Sequence, residues 1–221
     1  IVVAFRMLPE VVWNMPPLGF FNLHASVLPQ YRGAAPINWA IINGEKETGV
    51  STFFLKHEID TGKIIFQEKE TVHSDDTVGS LYDRLMKRGG QLVVKTVQAI
   101  EDGDYPEEEQ VATTALKHAP KIFREDCEID WNRSSEEIRN FVRGLNPYPG
   151  AWTFFGDLNF KIFEVKPSEF ASKKPIGEVD TDNKTFIRIK TNDHSVEVTD
   201  LQLQGKKRLR VEDFLRGFNF D

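Results

Sequence analysis

Asn146-Pro147-Tyr148-Pro149-Gly150 divides the chain between two stretches whose apolar residues recur at different periods. Two prolines and a glycine within five residues stop a helix, because proline lacks the amide hydrogen and its ring clashes with the preceding turn. Upstream, β-branched and aromatic runs alternate with helical stripes, which defines an α/β unit. Downstream, apolar and polar residues alternate in short runs near 151–155, 158–166, 176–180, 185–191 and 194–203. Turns are predicted at Gly156-Asp157, Asp182-Asn183 and Asn192-Asp193. Five such strands, with a closing helix over Val211 to Arg216, predict a small β-barrel of the OB type.

Upstream of the divide, Ile1 to Phe5 reads as a buried-type strand. A chain that opens in mid-sheet is expected to be part of a longer one, with a first strand whose bare edge invites pairing. Leu8 to Met15 predicts a short helix stopped by Pro16-Pro17, and Pro36 to Asn43 a second, ended by Asn43-Gly44. Strands are expected over 49–56 and 63–72, joined by the polar loop His57 to Gly62. A long helix follows, capped by Asp75 or Asp76, with the stripe Val78, Leu81, Leu85, Leu92, Val93, Val97 and Ile100. Gly89-Gly90 within it marks a bend or a close approach. The acidic turn Asp102 to Glu109 is expected not to pack and to open a linker, placing domains at 1–103 and 134–221 around a linker at 104–133. Ser134 and Glu137 form a capping-box pattern ahead of Ile138, Phe141, Val142 and Leu145.

Composition narrows the location and the partners. Among 221 residues the formal net charge is -6, and residues 151–221 carry 12 Lys and Arg against 12 Asp and Glu, so the acidic excess lies wholly within residues 1–150. Neither part has the basic balance of a dedicated nucleic-acid binder, and any RNA contact is expected from local patches. A single cysteine, Cys127, excludes an intrachain disulfide and fits a reducing compartment. No apolar run approaches the roughly 18 residues of a membrane span. The expected location is the cytoplasm, with no membrane and no obligate protein partner. The five histidines lack paired ligand spacing, so no metal is expected.

Phe21-Asn22-Leu23-His24 is a strand end in which the two polar side chains project to one face. Asp60 follows 36 residues later at the end of another predicted strand, and the two strands are expected to be parallel neighbours. An asparagine amide and a protonated imidazole can hydrogen-bond a carbonyl oxygen as it gains charge, while a carboxylate orients the imidazole. No serine or cysteine nucleophile pairs with His24, which favours direct attack by a bound amine. The spacing alone also allows that Asn22 and His24 cap a strand and that Asp60 belongs to a turn.

The residues around this trio resemble a known family. Asn22 to Pro29 with Tyr31-Arg32-Gly33-Ala34-Ala35-Pro36, followed by Ile59-Asp60-Thr61-Gly62, are similar to the 10-formyltetrahydrofolate-dependent formyltransferases. Ala119-Pro120-Lys121-Ile122, Glu125 to Trp131 and Arg143 to Trp152 resemble the branch that formylates charged initiator tRNA. The resemblance implies the C-terminal half of a doubly wound, Rossmann-like formyltransferase domain, followed by an OB-like β-barrel domain that helps hold tRNA. It also implies that Asn22 and His24 stabilise a tetrahedral oxyanion and that Asp60 supports His24 and assists proton removal. The loop Ser26, Val27, Leu28 and Pro29 would face the folate, with His57, Glu58 and Ile59 lining the pterin side. The co-substrates implied are 10-formyltetrahydrofolate and methionyl-initiator tRNA.

Lys206, Lys207, Arg208 and Arg210, with Lys184, Arg188 and Lys190 on a predicted strand, form a basic hairpin suited to phosphate. A solvated hairpin tip is the alternative. Trp152, Phe154, Phe155, Phe160 and Phe163 are expected in the core or on the sheet face rather than as base-stacking platforms. Two other functions compete: a sugar-nucleotide formyltransferase, which shares the trio, and a non-catalytic RNA-binding module.

Overall fold

The computed structural model describes residues 1–3, 9–112, 115–170 and 172–220. Within it the chain forms two compact units, one of residues 1–40, 45–76 and 80–122, the other of residues 41–44, 77–79 and 123–221. Among the described residues no helix is long and apolar enough to cross a membrane.

In the first unit Val2 forms a parallel bridge with Asn22, while Ala4, Phe5 and Leu8 of the expected strand and helix lie outside the described residues. Helix α1 (Glu10–Trp13) starts after Pro9. Strand β1 (Phe21–His24) leads to the two-residue β2 (Arg32–Gly33) and to helix α2 (Pro36–Ile42). Strands β3 (Glu47–Phe54) and β4 (Ile64–Thr71) complete a sheet in the order β1-β3-β4. Phe21 pairs with Phe54 and His24 with Ser51, so β1 and β3 are antiparallel and not the parallel neighbours that the sequence suggested. Alternation of apolar and polar residues has the same period in either direction, so it does not encode strand polarity. Asp60 accordingly lies in the β3–β4 connection.

Helix α3 (Val78–Asp102) lays Leu81, Leu85, Gly89, Leu92, Thr96 and Ile100 inward. Val93 and Val97, also expected in the stripe, are partly buried against Phe21, Ile65 and Ile100. Gly89 marks a close approach in an unbroken helix: a Cβ there would lie 2.8 Å from Cδ2 of Leu23, which fixes how near α3 comes to β1. Thr52 and Thr96 join sheet and helix through their hydroxyls at 2.9 Å.

The acidic turn does pack, contrary to expectation. Tyr105 meets Phe54 with ring centroids 5.6 Å apart, and Glu108 and Ile64 exchange two backbone hydrogen bonds at 2.8 and 3.0 Å. Strand β5 (His118–Ala119) then pairs in parallel with β2. Such isolated pairings need no apolar alternation, and so leave no periodic mark in a sequence.

In the second unit Ser134 and Glu137 complete the capping box of helix α4 (Ser135–Gly144), and Asp193 accepts the Ser135 amide at 2.8 Å. The strands are β6 (Ala151–Phe155), β7 (Leu158–Ser168), β8 (Val179–Thr181), β9 (Ile187–Lys190), β10 (Ser195–Leu203) and β11 (Leu209–Arg210). They pair antiparallel in the order β6-β7-β10-β9-β8, with β11 on β10 and a bulge around Thr199 that bends the sheet. Helix α5 (Val211–Leu215) follows β11, and the rings of Phe155, Phe160, Phe214, Phe218 and Phe220 form a connected cluster whose touching pairs have centroids 4.8–6.3 Å apart. Of the aromatic residues expected in the core or on the sheet face, Phe155, Phe160 and Phe163 are buried and Phe154 is exposed on β6. Its neighbours on β6 already fill the inner face, and alternation turns Phe154 outward.

Candidate active site

β1 delivers Asn22 and His24 where the sheet gives way to the loop 25–31. Ser51 on β3 and Gln67 on β4 hold that loop. The Ser51 hydroxyl donates to the Ser26 carbonyl at 2.6 Å and accepts the Leu28 amide at 3.2 Å, while Gln67 Nε2 donates to the Leu28 carbonyl at 2.9 Å and to Ser51 Oγ at 2.8 Å. Leu28 is buried against Phe53 and Ile64, and the Ser26 hydroxyl donates to the Gln30 carbonyl at 2.6 Å. The side chains of Ser26 and Leu28 are therefore internal, and those of Val27 and Pro29 are half-buried. His57, Glu58 and Ile59 are exposed. Neither Ser51 nor Gln67 stood out in the sequence, since a serine and a glutamine on sheet strands carry no motif.

His24 is buried, and its Nε2 lies 2.8 Å from the Tyr31 carbonyl. A carbonyl only accepts, so Nε2 carries the hydrogen. Tyr31 reaches this position at φ 60°, with its amide donating to the Lys117 carbonyl at 2.7 Å and its hydroxyl to Glu45 at 2.5 Å. Burial alone would raise the pKa of Glu45, but the hydrogen bonds from Lys117 and Tyr31 outweigh it and hold the carboxylate below its ordinary range.

The other imidazole nitrogen, Nδ1, faces Asp60 Oδ2 at 3.7 Å. Asp60 sits at φ 55°, a conformation that aspartate tolerates better than most residues, and the same Oδ2 accepts the Gly33 amide at 3.0 Å. Gly33 itself has φ 125°, and a Cβ there would lie 2.4 Å from the Ala119 carbonyl. Only glycine lets β2 approach β5 this closely while its amide turns to the carboxylate. Asn22 Oδ1 is buried and has no hydrogen-bond partner among the described residues. A buried acceptor left unpaired costs stability, and such atoms cluster where a ligand completes the bonding.

The structure thus brings Asn22, His24 and Asp60 into one unit, with the carboxylate and imidazole in ion-pair range. The basic residues divide differently. Arg208 is bound to Asp200 by two hydrogen bonds of 2.8 and 2.9 Å and lies over the Phe163 ring, and Arg210 is bound to Glu164. Arg188 is bound to Glu197 at 3.1 Å. Lys206 and Lys207 are exposed and have no ion pair among the described residues.

The formyl transferase model matches residues 1–97, and the model of the formyl transferase C-terminal domain matches residues 121–219. The chain belongs to the formyl transferase family. It is 54% identical to the methionyl-tRNA formyltransferase of Azobacteroides pseudotrichonymphae over 98% of its own length and 70% of that protein's. Among solved structures it resembles HypX of Aquifex aeolicus in complex with tetrahydrofolic acid, at 23% identity and a TM-score of 0.69, covering 95% of this chain and 36% of that one. It also resembles the N-formyltransferase of Helicobacter canadensis bound to folinic acid and dTDP-3-aminofucose, at 23% identity and a TM-score of 0.64, covering 86% of this chain and 66% of that one. The chain therefore spans just over a third of the HypX chain.

Proposed function

We propose that this chain transfers a formyl group from 10-formyltetrahydrofolate to the α-amine of methionyl-initiator tRNA. The observation that carries this reading is the His24–Asp60 pair beside Asn22, in a chain 54% identical to a methionyl-tRNA formyltransferase. The neutral amine attacks the formyl carbon, and the carbonyl π electrons move to oxygen. The Asn22 amide stabilises that oxyanion, and His24 adds a second donor once its Nε2–H turns from the Tyr31 carbonyl to the substrate, each donor lowering the barrier by roughly 3 to 4 kcal/mol in comparable sites. Collapse re-forms the carbonyl and breaks the bond to the folate nitrogen, which takes up a proton as the amine gives one away. Asp60 orients His24 and assists that proton removal. Asn22 Oδ1, unpartnered among the described residues, accepts a hydrogen from the attacking amine.

Val27, Pro29 and the exposed His57-Glu58-Ile59 segment line the folate side, with Ser26 and Leu28 shaping the loop from within. The first unit does the chemistry. The second, with Lys206 and Lys207 carrying no ion pair among the described residues and Arg208 and Arg210 beside them, helps hold the tRNA.

The test is formylation by the full-length protein of charged initiator tRNA and of amino-sugar nucleotides, with His24→Ala and Asp60→Asn alongside. Formylation of tRNA, lost in both variants, is expected. Formylation of the sugar alone overturns the substrate assignment, and unchanged turnover by His24→Ala overturns the site.

A further inference from the structure

Gln110 lies in the segment that the sequence marked as linker, yet its side chain joins three separate parts of the first unit. Its Nε2 donates to the Asp60 carbonyl at 2.9 Å and to the Gly62 carbonyl at 2.8 Å, while its Oε1 accepts from Arg32 Nε at 3.1 Å and Nη2 at 2.7 Å. The orientation of the amide is dictated by chemistry, since a guanidinium only donates and a carbonyl only accepts. Both amide hydrogens and both lone pairs are thus used, and no other side chain of similar size offers two donors at one end and a twofold acceptor at the other.

These bonds bear on the reacting groups. Asp60 stands in the left-handed region at φ 55°, on a loop whose His57, Glu58 and Ile59 are exposed, so few local contacts hold it. Its carboxylate is tied to the Gly33 amide, and the residue before Gly33 is Arg32. Gln110 therefore grips both the backbone of Asp60 and the strand that presents the amide bonded to Asp60. The Glu108–Ile64 bridge, two residues earlier, fixes the height of Gln110 on the unit.

We propose that Gln110 is a positioning residue for formyl transfer, acting through Asp60 by holding its carboxylate toward Nδ1 of His24. The inference rests on the catalytic reading of Asp60 given above. Without Gln110 the Asp60 backbone is free to relax out of its left-handed conformation, and a displacement of about 1 Å at a reacting group can cost about a hundredfold in rate.

The test uses the full-length protein with Gln110→Met, which keeps the volume, and Gln110→Glu, which keeps the shape and could pair with Arg32 but sets a carboxylate against two carbonyls. We expect kcat to fall at least about tenfold in both, with KM for tRNA and folate within about twofold and the thermal midpoint nearly unchanged. In an Asp60→Asn background, Gln110→Met should cost little more, because two residues acting as a unit are not additive. Full kcat in Gln110→Met, recovery of kcat in Gln110→Glu, or a cost that simply adds to that of Asp60→Asn overturns the inference. Loss of the folded state in both variants also overturns it, as that would make the role structural. If Asp60→Asn and His24→Ala keep full activity, the failure belongs to the reading of the site instead.

Discussion

Asp60 Oδ2 lies 3.7 Å from His24 Nδ1 and is held there by the Gly33 amide at 3.0 Å, although 36 residues and two strands separate the carboxylate from the imidazole. The pair exists because the β3–β4 connection folds back beside β1 and because β2 offers an amide at the meeting point. Several measurable consequences depend on that arrangement.

Asn22 holds a buried oxygen without a partner among the described residues. Asn22→Ala removes an unsatisfied acceptor along with an amide donor, so it should leave the unfolding free energy within about 1 kcal/mol or raise it. Turnover should nonetheless fall by about 100-fold or more. Denaturant unfolding and single-turnover formylation, measured on the same preparation, check both halves.

Gly33→Ala places a Cβ 2.4 Å from the Ala119 carbonyl at a residue with φ 125°. A backbone clash in that conformation should cost about 1 to 3 kcal/mol or more. The β2–β5 pairing should loosen and Asp60 should lose its amide donor. Faster hydrogen exchange at Tyr31 and Ala35, whose amides bond to this region, is the direct measurement.

Asp76 accepts hydrogen bonds from Arg84 at 2.6 and 2.7 Å, from Ser80 at 2.8 Å and from the His73 amide at 2.7 Å. Burial alone would raise its pKa, but these donors outweigh it and hold the carboxylate at about 2, against 3.8 ordinarily. The depressed value means that the stabilisation is fully present above about pH 4 and is lost as pH falls toward 2. It amounts to about 2 kcal/mol. Asp76→Asn should lower stability at neutral pH and flatten the loss between pH 4 and 2, read from unfolding midpoints across that range.

Lys206 and Lys207 have no ion pair among the described residues, whereas Arg208 covers the buried carboxylate of Asp200. Lys206→Ala with Lys207→Ala should weaken tRNA binding and reduce the slope of log K against log salt by roughly one to two, with stability unchanged. Arg208→Ala should destabilise the second unit, because it strands a buried charge. Binding isotherms at several salt concentrations, beside melting curves, separate the two classes.

Much of the local structure was legible in the residues. The capping box at Ser134 and Glu137, the long amphipathic helix from Val78 and the five alternating runs after Gly150 rest on short-range rules of side-chain period and hydrogen-bonding capacity, whereas Asn22, His24 and Asp60 were singled out by the family resemblance, since their spacing alone equally allowed a strand cap and a turn. Ser51, Gln67 and Gln110 were invisible, because a single polar side chain bonded to a distant carbonyl leaves no pattern in its neighbours.

By itself, the sequence determined which chemical groups the protein carries and the type of its longer elements, since periodicity and capping act over a turn or a pleat. Tertiary structure alone decided that β1 and β3 run antiparallel, that Asp60 reaches His24 from a connecting loop, that the acidic turn packs, and that Arg208 and Arg210 are bound to carboxylates. Strand polarity, loop return and the pairing of charges are set by contacts between residues far apart in the chain, whose energies depend on a geometry that exists only once the chain has folded.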